Sequence, residues 1–321
     1  MDIVLCCDNH FVMPTGVTMY SVCANNTDEK IAFHIIAGGI SIGNKEKLKR
    51  NIKCFPNKSI IFYDVKKEDF ENLPAIGVVL THITAAAYYR VYMDEILPLS
   101  LEKVLYLDGD VIVRGSLLEL WNTDIESFAV AAVREKIYDV DELYSRLDYP
   151  MAKGYFNSGV LLVNLKYWRK HNLLAKCKDY MEKYPERIKY VDQDVLNHVC
   201  KDSKIWLNTK YNLTSAYLIN KQVDYYNEIK DEISDAIEHP VIVHYTSGSK
   251  PWMKGCRHPF VHLFLHYYRQ TEWKNTSLLE NRPLGLRIRK FFGKFLRKLN
   301  LLAELPPYEN HYLPGLNDKL L

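Results

Sequence analysis

Two strand-like apolar runs flank a pair of aspartates in the stretch Lys103-Val104-Leu105-Tyr106-Leu107-Asp108-Gly109-Asp110-Val111-Ile112-Val113. Side chains two positions apart in an extended chain point to the same side, so Asp108 and Asp110 can face one hard cation at a strand end. Asp-Gly between apolar runs is also a common hairpin signal, and the Asp-x-Asp spacing recurs at residues 139–141 and 192–194. The stretch alone therefore leaves a metal site and a hairpin as alternatives.

From this stretch back to the N-terminus, strand-like runs alternate with helical patterns. Strands are predicted at residues 3–7, 31–37, 60–65 and 104–107, and helices at 15–24, 44–55 and 84–97. Asn44 is the predicted cap of the second helix and Pro56 its stop. The alternation predicts an α/β, Rossmann-like fold with a mainly parallel central sheet. Ligands of such sheets bind beyond the carboxyl ends of the strands.

The second half of the chain is less regular. Strands are predicted at residues 128–133, 159–165 and 241–243, and a helix at 166–183 that Pro185 ends. The composition changes after Trp273, where asparagines and basic residues replace the alternating pattern. We therefore predict one catalytic domain over residues 1–275 and a tail over 276–321.

A histidine and a lysine follow the last predicted strand. His244 ends the strand and opens a turn of small residues that leads to Lys250. A histidine in such a place is commonly structural, but together with Asp108 and Asp110 it can complete a divalent-cation site. Lys250 could then meet a phosphate. The combination suits a cation clamped on a diphosphate, where it acts as a Lewis acid for a departing anion.

Cysteine usage and apolar runs limit the class of protein. The seven cysteines include no Cys-x-x-Cys pair, which argues against a disulfide framework or structural zinc and favours a reducing, cytoplasmic setting. No apolar run approaches the ~20 residues that cross a bilayer. The run over residues 3–7 is too short for a signal peptide. A nucleic-acid partner is not expected, because nothing in the body supplies a basic groove.

The formal net charge of +3 combines two unlike parts. Residues 282–298 hold seven basic residues and no acidic one, which leaves 35 basic against 39 acidic residues in the rest. On a helical wheel the apolar side chains of this segment share an arc of roughly 100°, with the charges outside it. Such a basic amphipathic helix is predicted to lie on an anionic membrane surface. Docking of its apolar face on the catalytic domain is the alternative.

Four motifs occur in order along the chain. They are Asp108-Gly109-Asp110, Tyr155-Phe156-Asn157-Ser158-Gly159-Val160-Leu161-Leu162, Asp192-Gln193-Asp194-Val195-Leu196-Asn197, and His244-Tyr245 with Lys250-Pro251-Trp252. Together they resemble glycosyltransferase family eight, which includes bacterial lipopolysaccharide galactosyl- and glucosyltransferases and glycogenin. The resemblance is greatest to the retaining galactosyltransferases of bacterial lipooligosaccharide synthesis. It extends from Met1 to about Trp273. It implies a single glycosyltransferase-A fold.

The resemblance also implies a UDP-sugar donor and a bound cation, Mn²⁺ with Mg²⁺ as the alternative. It places Asp108, Asp110 and His244 on the metal. Lys250 would contact the phosphates of the donor. Gly109 and Gly248 would be further donor-binding residues, although Gly248 falls one place later than the usual glycine of the family.

Other positions carry roles at the two ends of the donor. The resemblance implies that Cys6, Asp8 and His10 contact uridine. It places Arg90 near the donor sugar and the diphosphate, and His82 on the acceptor or donor side. The transferred hexose would be hydrogen-bonded by Asn157, Asp192 and Gln193. Gln193 would lie nearest the anomeric carbon, which makes Gln193 and Asp192 the candidate catalytic residues.

These implications predict a retaining hexosyltransferase, peripheral on the inner face of the membrane. It would move galactose or glucose from a UDP-sugar to a saccharide acceptor, lipid-linked in many such enzymes, of a cell-surface glycan. Gln193 is a neutral amide and a poor nucleophile, so same-face substitution is favoured, with a diphosphate oxygen accepting the acceptor proton. The alternatives are a sugar nucleotidyltransferase, which needs a Gly-rich loop where residues 6–10 stand, and a non-catalytic sugar-nucleotide or membrane-binding protein.

Overall fold

A computed structural model describes residues 1–66, 70, 86–219, 224–279 and 312–313. The strands in this part of the chain are β1 (Asp2–Asp8), β2 (Ile31–Gly38), β3 (Lys58–Val65), β4 (Lys103–Leu107), β5 (Val111–Val113), β6 (Val130–Arg134), β7 (Phe156–Asn164), β8 (Lys204–Trp206), β9 (Leu213–Thr214) and β10 (Ile242–His244). The helices are α1 (Val12–Asn25), α2 (Ile42–Asn51), α3 (Ala86–Tyr89), α4 (Met93–Ile96), α5 (Leu118–Trp121), α6 (Val140–Leu147), α7 (Leu165–Lys170), α8 (Leu173–Lys183), α9 (Val191–Cys200), α10 (Lys230–Glu238) and α11 (Val261–Tyr268).

Seven strands form the central sheet, in the order β3-β2-β1-β4-β7-β6-β8. Strands β1 to β4 are mutually parallel, β7 is antiparallel to both β4 and β6, and β8 is parallel to β6. Only β7 therefore runs against the other six described strands of this sheet. The predicted α/β fold with a mainly parallel central sheet is confirmed.

The Asp-Gly-Asp segment connects two sheets. Strand β4 pairs with β1 and β7, whereas β5 pairs with β10 in a smaller sheet ordered β5-β10-β9. Because β4 and β5 do not pair with each other, the hairpin alternative for Asp108-Gly109-Asp110 is wrong. The segment instead lies where the main sheet passes into the small one, beside His244, which pairs with Val111.

The middle strands of the central sheet are buried on both faces, whereas its edge strands β3 and β8 are partly exposed. Along β1, the side chains of Ile3, Leu5 and Cys7 belong to one apolar cluster, and those of Val4 and Cys6 to another on the opposite face. This explains why β1 is an unbroken apolar run rather than an alternating one. All seven cysteines carry free thiols. No helix within the described ranges has both the length and the apolar character to cross a bilayer.

The predicted cap of the second helix was wrong. Helix α2 begins at Ile42 because Ser41, with extended backbone, accepts the Asn44 N–H on its side-chain oxygen at 3.3 Å. The same helix ends at Asn51, before Ile52 and Phe55, which continue in a turn.

The predicted helix over 166–183 is also corrected. It is two helices, α7 and α8, because Asn172 between them takes a left-handed backbone conformation with φ of 53°. In the predicted helix over 84–97, the described part is α3 and α4 joined by a 3₁₀ turn over Arg90–Tyr92. There the Arg90 side chain donates to the carbonyl of Ala87. Residues 84 and 85 lie outside the described part.

Candidate active site

A cavity of about 650 Å³ opens at the edge of the central sheet where β1 and β4 end. Because β7 runs in the opposite direction, its first residues, Phe156 to Gly159, lie at this same edge beside the end of β4. The wall brings together twelve sequence-predicted residues: Cys6, Asp8, His10, Arg90, Asp108, Gly109, Asp110, Asn157, Asp192, Gln193, His244 and Lys250. Gly248 is not part of this wall, and His82 lies outside the described residues.

Asp108, Asp110 and His244 form a candidate metal centre. Each offers one ligand atom, and these three atoms lie within 4.8 Å of one another. His244 Nε2 is 3.2 Å from Asp110 Oδ1 and 3.6 Å from Asp108 Oδ2. Two carboxylate oxygens and one imidazole nitrogen are ligands that Mn²⁺ and Mg²⁺ accept, so the donor set fits the cation that the sequence implies.

Lys250 lies next to this centre. Its Nζ is 2.8 Å from Asp110 Oδ2 and donates to the Tyr245 carbonyl at 2.6 Å. Burial opposes ionisation of Asp110, but the positive charge of Lys250, together with the contact to His244, outweighs it and lowers the pKa of this carboxyl. The lysine is therefore held within reach of whatever anion the metal centre binds.

Arg90 joins one metal ligand to a second carboxylate. Its Nη2 is 2.9 Å from Asp108 Oδ1 and its Nε is 3.1 Å from Asp192 Oδ2. A third bond runs from Nη1 to the Ser158 carbonyl at 2.8 Å. Burial would lower the pKa of Arg90, but Asp108 and Asp192 raise it above its ordinary value. For Asp192, burial outweighs the attraction of Arg90 and raises the pKa to about 6.

The three Asp-x-Asp pairs of the chain serve different purposes. Asp192, near the start of α9, faces the cavity. Asp194 is fully buried and accepts from Arg146 Nη1, from Tyr155 Oη and from the backbone N–H groups of Lys189 and Tyr190. Asp139 also lines the cavity, but its carboxylate caps α6 by accepting the Glu142 N–H. Spacing alone could not separate a cavity carboxylate from a structural one.

Gln193 has both ends of its amide engaged within the protein. Its Oε1 accepts the Ser158 N–H at 3.0 Å, and its Nε2 donates to Tyr155 Oη at 3.2 Å. Tyr155 in turn donates to Asp194 Oδ1 at 2.7 Å. Asp194 and Tyr155 therefore fix the orientation of the Gln193 amide at the cavity wall.

Asn157 is part of a buried polar network. Its Nδ2 donates to Glu135 Oε2, and its Oδ1 accepts from Asn212 Nδ2 at 2.9 Å. The Asn212 Oδ1 lies 3.0 Å from His244 Nδ1. Sequence reasoning missed Asn212, because it stands 32 residues before His244 and meets it only through the pairing of β9 with β10.

The residues predicted to contact uridine lie on β1 and in the turn that follows it. Asp8 ends β1, and its Oδ1 accepts the N–H groups of His10 and Phe11, each at 2.9 Å. This carboxylate therefore shapes the turn that leads from β1 into α1. Cys6, two residues earlier in β1, is buried in the cavity wall, and His10 is an exposed residue of the same wall.

Comparisons with known proteins agree with this architecture. The family model described as Glycosyl transferase family 8 matches residues 2–256. The lipopolysaccharide 1,3-galactosyltransferase of Salmonella typhimurium is 28% identical over 317 residues, which cover 97% of this chain and 86% of that protein. The lipopolysaccharide 1,2-glucosyltransferase of Escherichia coli K12 is 28% identical over 276 residues, 84% of this chain and 78% of that one. The galactosyltransferase LgtC, solved with donor and acceptor sugar analogues, has a TM-score of 0.73 and 29% identity, covering 86% of this chain and 99% of LgtC.

Proposed function

Because the chain belongs to glycosyl transferase family 8, we propose that it is a retaining, Mn²⁺-dependent hexosyltransferase. It moves galactose or glucose from a UDP-sugar to a saccharide acceptor of a cell-surface glycan. The observation that carries the proposal is the grouping of Asp108, Asp110 and His244 in the cavity wall, with Lys250 beside them. Similarity to lipopolysaccharide galactosyl- and glucosyltransferases supports the substrate class.

The chemistry that this grouping supports is stabilisation of a leaving group. Departure of UDP places negative charge on the diphosphate, and a bound Mn²⁺ would supply Lewis-acid stabilisation of that charge. Lys250 and Asp110 both line the cavity, so the lysine ammonium is in place to contact a phosphate oxygen of the donor. A fixed cation aimed at developing charge contributes more in the transition state than in the ground state.

Retention of configuration requires attack from the side of the leaving group or a covalent intermediate. Gln193 Oε1 is occupied by the Ser158 N–H, and Asp192 Oδ2 is held by Arg90 and by the Ser158 hydroxyl. Gln193 is moreover a neutral amide and a poor nucleophile, which supports same-face substitution, with a diphosphate oxygen accepting the acceptor proton.

The same-face route predicts that no sugar becomes attached to the protein. Intact-protein mass spectrometry of the enzyme incubated with donor alone should show the unmodified mass, because this route forms no bond between the sugar and a side chain. Peptide mapping of residues 190–200 is the corresponding site-specific measurement. A hexose adduct on Gln193 or Asp192 would establish the covalent route instead.

The function is tested by measuring UDP release and product formation over a panel of UDP-sugars, with and without Mn²⁺. We expect turnover with UDP-galactose or UDP-glucose, dependence on the cation, and a product whose anomeric configuration matches the donor by NMR. Formation of UDP-sugar from UTP and a sugar 1-phosphate would favour the nucleotidyltransferase alternative. Donor binding without turnover on any saccharide would favour the non-catalytic alternative.

We also propose that the basic segment over residues 282–298 holds the enzyme on the cytoplasmic face of the membrane. The segment lies outside the described residues, but its flanks are attached to the catalytic body. Leu279 exchanges backbone hydrogen bonds with Trp252 and Lys254, and the Leu313 N–H donates to the Leu218 carbonyl at 2.8 Å. The division into a domain over 1–275 and a tail over 276–321 is part of the same proposal.

Neutralising part of the basic segment should weaken binding to anionic vesicles. The full-length variant combines Arg287→Gln, Arg289→Gln, Lys290→Gln and Lys294→Gln. Near a membrane surface each basic residue contributes about 1 kcal/mol, so co-sedimentation with phosphatidylglycerol vesicles at low salt should fall more than about tenfold. Full-length chain is used because Tyr312 and Leu313 contact the body.

A matched control removes the same number of charges from the exposed surface of the body. It combines Lys153→Gln, Lys166→Gln, Lys178→Gln and Lys183→Gln, all in partly exposed ion pairs. The control should bind vesicles nearly as well as the unmodified protein. Equal binding by both variants would support the alternative in which the segment docks on the domain.

A further inference from the structure

We propose that Asn212 is a positioning residue for the metal ligand His244. Its side-chain oxygen holds the imidazole in the tautomer that carries its proton on Nδ1, so that the Nε2 lone pair would be available to a cation held together with Asp108 and Asp110. The inference rests on the metal centre of the proposed function.

The direction of the hydrogen bonds can be traced from the backbone. The Gly159 N–H donates to Asn157 Oδ1 at 2.9 Å, and a backbone N–H can only donate, so this atom is the amide oxygen. The atom of Asn212 that faces Asn157 Oδ1 at 2.9 Å must then be its amino group. The Asn212 oxygen is left for His244 Nδ1, at 3.0 Å, and an oxygen there requires a proton on Nδ1.

Burial makes this arrangement difficult to replace. Asn212 has no solvent exposure, and His244 and Asn157 are 3% and 5% exposed. If the Asn212 amide were reversed, two oxygens would face each other at Asn157 and an amino group would face the imidazole. A buried polar group without a partner costs about 1–3 kcal/mol. The network therefore selects one orientation for each side chain.

The imidazole is confined from a second direction by Gly159. A Cβ at this position would lie 2.2 Å from His244 Cε1 and 2.9 Å from Nδ1, so the ring packs directly on the strand backbone. His244 also pairs with Thr214 in the small sheet, two residues after Asn212. With the ring plane set by Gly159 and Nδ1 engaged by Asn212, the remaining nitrogen points to Asp108 and Asp110. Groups that orient a metal-bound histidine in this way typically change metal affinity by 10- to 100-fold when removed.

The test is the affinity for Mn²⁺ alone, measured by the electron paramagnetic resonance signal of the free ion. Asn212→Ala should weaken binding by at least about tenfold, while circular dichroism shows that the variant is folded. Asn212→Asp keeps an acceptor for the Nδ1 proton but turns its second oxygen toward Asn157 Oδ1, so it should bind Mn²⁺ more tightly than Asn212→Ala while lowering the melting temperature. If the alanine variant does not fold, Asn212→Ser, whose side chain is too short to reach Nδ1, should show the same loss.

Asn164→Ala is the matched control. Asn164 is a buried asparagine at the other end of β7 that donates to the Ile125 and Glu126 carbonyls, away from the cavity. It should lower the melting temperature and leave the Mn²⁺ affinity unchanged. Affinity in Asn212→Ala within twofold of the unmodified protein would overturn the inference and leave the proposed function standing. Absence of Mn²⁺ binding in the unmodified protein would contradict the proposed metal centre itself.

Discussion

Asp110→Asn should reduce the turnover of any UDP-sugar donor by on the order of 10³-fold and weaken Mn²⁺ binding in parallel. The asparagine keeps the shape of the side chain but removes the negative charge that faces His244 Nε2 at 3.2 Å. It also removes the ionic partner of Lys250, which is 2.8 Å from the other carboxylate oxygen. Steady-state kinetics over a range of Mn²⁺ concentrations, with calorimetric titration of the cation, measure both effects.

Asp94→Asn is the matched control for this substitution. Asp94 is a partly buried aspartate of α4 that is not in the cavity wall, and burial raises the pKa of its carboxyl. It should leave kcat and Mn²⁺ affinity nearly unchanged. Turnover of Asp110→Asn within about threefold of the unmodified enzyme, at saturating donor, would contradict a metal-dependent reaction.

The position of the site could be predicted from the sequence because parallel strands bring their carboxyl ends together. Asp8 and Asp108 directly end or follow β1 and β4, two adjacent parallel strands. Both carboxylates therefore had to lie at one edge. His244 was found for a related reason, since it ends a strand and is followed by a turn of small residues.

The reversed strand was the first feature that the apolar pattern could not reveal. A buried strand has the same pattern in either direction, so residues 159–165 were predicted without their orientation. Reversal of β7 is what places Asn157 and Ser158 at the cavity rather than at the far edge of the sheet. The resemblance to a known family, not periodicity, supplied the role of Asn157.

Side-chain partnerships were the second such feature. Arg90 was expected near the donor and does line the cavity, but no pattern predicted that its guanidinium would be buried between Asp108 and Asp192, which are far apart in sequence. The helix errors have local causes of the same kind. Ser41 rather than Asn44 caps α2, because only a residue with extended backbone just before the helix can turn its oxygen to the free N–H groups.

Position 159 must be a glycine for a reason that only the coordinates reveal. Its backbone is an ordinary strand conformation, so conformational freedom does not explain it. The lack of space for a side chain explains the glycine, because a Cβ would lie 2.2 Å from His244 Cε1 and 2.6 Å from Asp108 Oδ2. Both neighbours are proposed metal ligands, and each is held by other bonds, His244 by Asn212 and Asp108 by Arg90. Neither can move without losing a partner.

Gly159→Ala should therefore reduce turnover by about 10²-fold or more, because a shift of about 1 Å in a reacting group is enough for such a loss. Overpacking should also lower the free energy of unfolding by about 1–3 kcal/mol. Donor turnover, Mn²⁺ titration and urea unfolding measure these effects. Gly115→Ala is the control, since its Cβ would meet Val241 at 3.5 Å, an ordinary contact, and it should preserve activity and affinity. A folded Gly159→Ala enzyme with normal Mn²⁺ affinity would show that the two ligands do not need the packed arrangement seen around this strand.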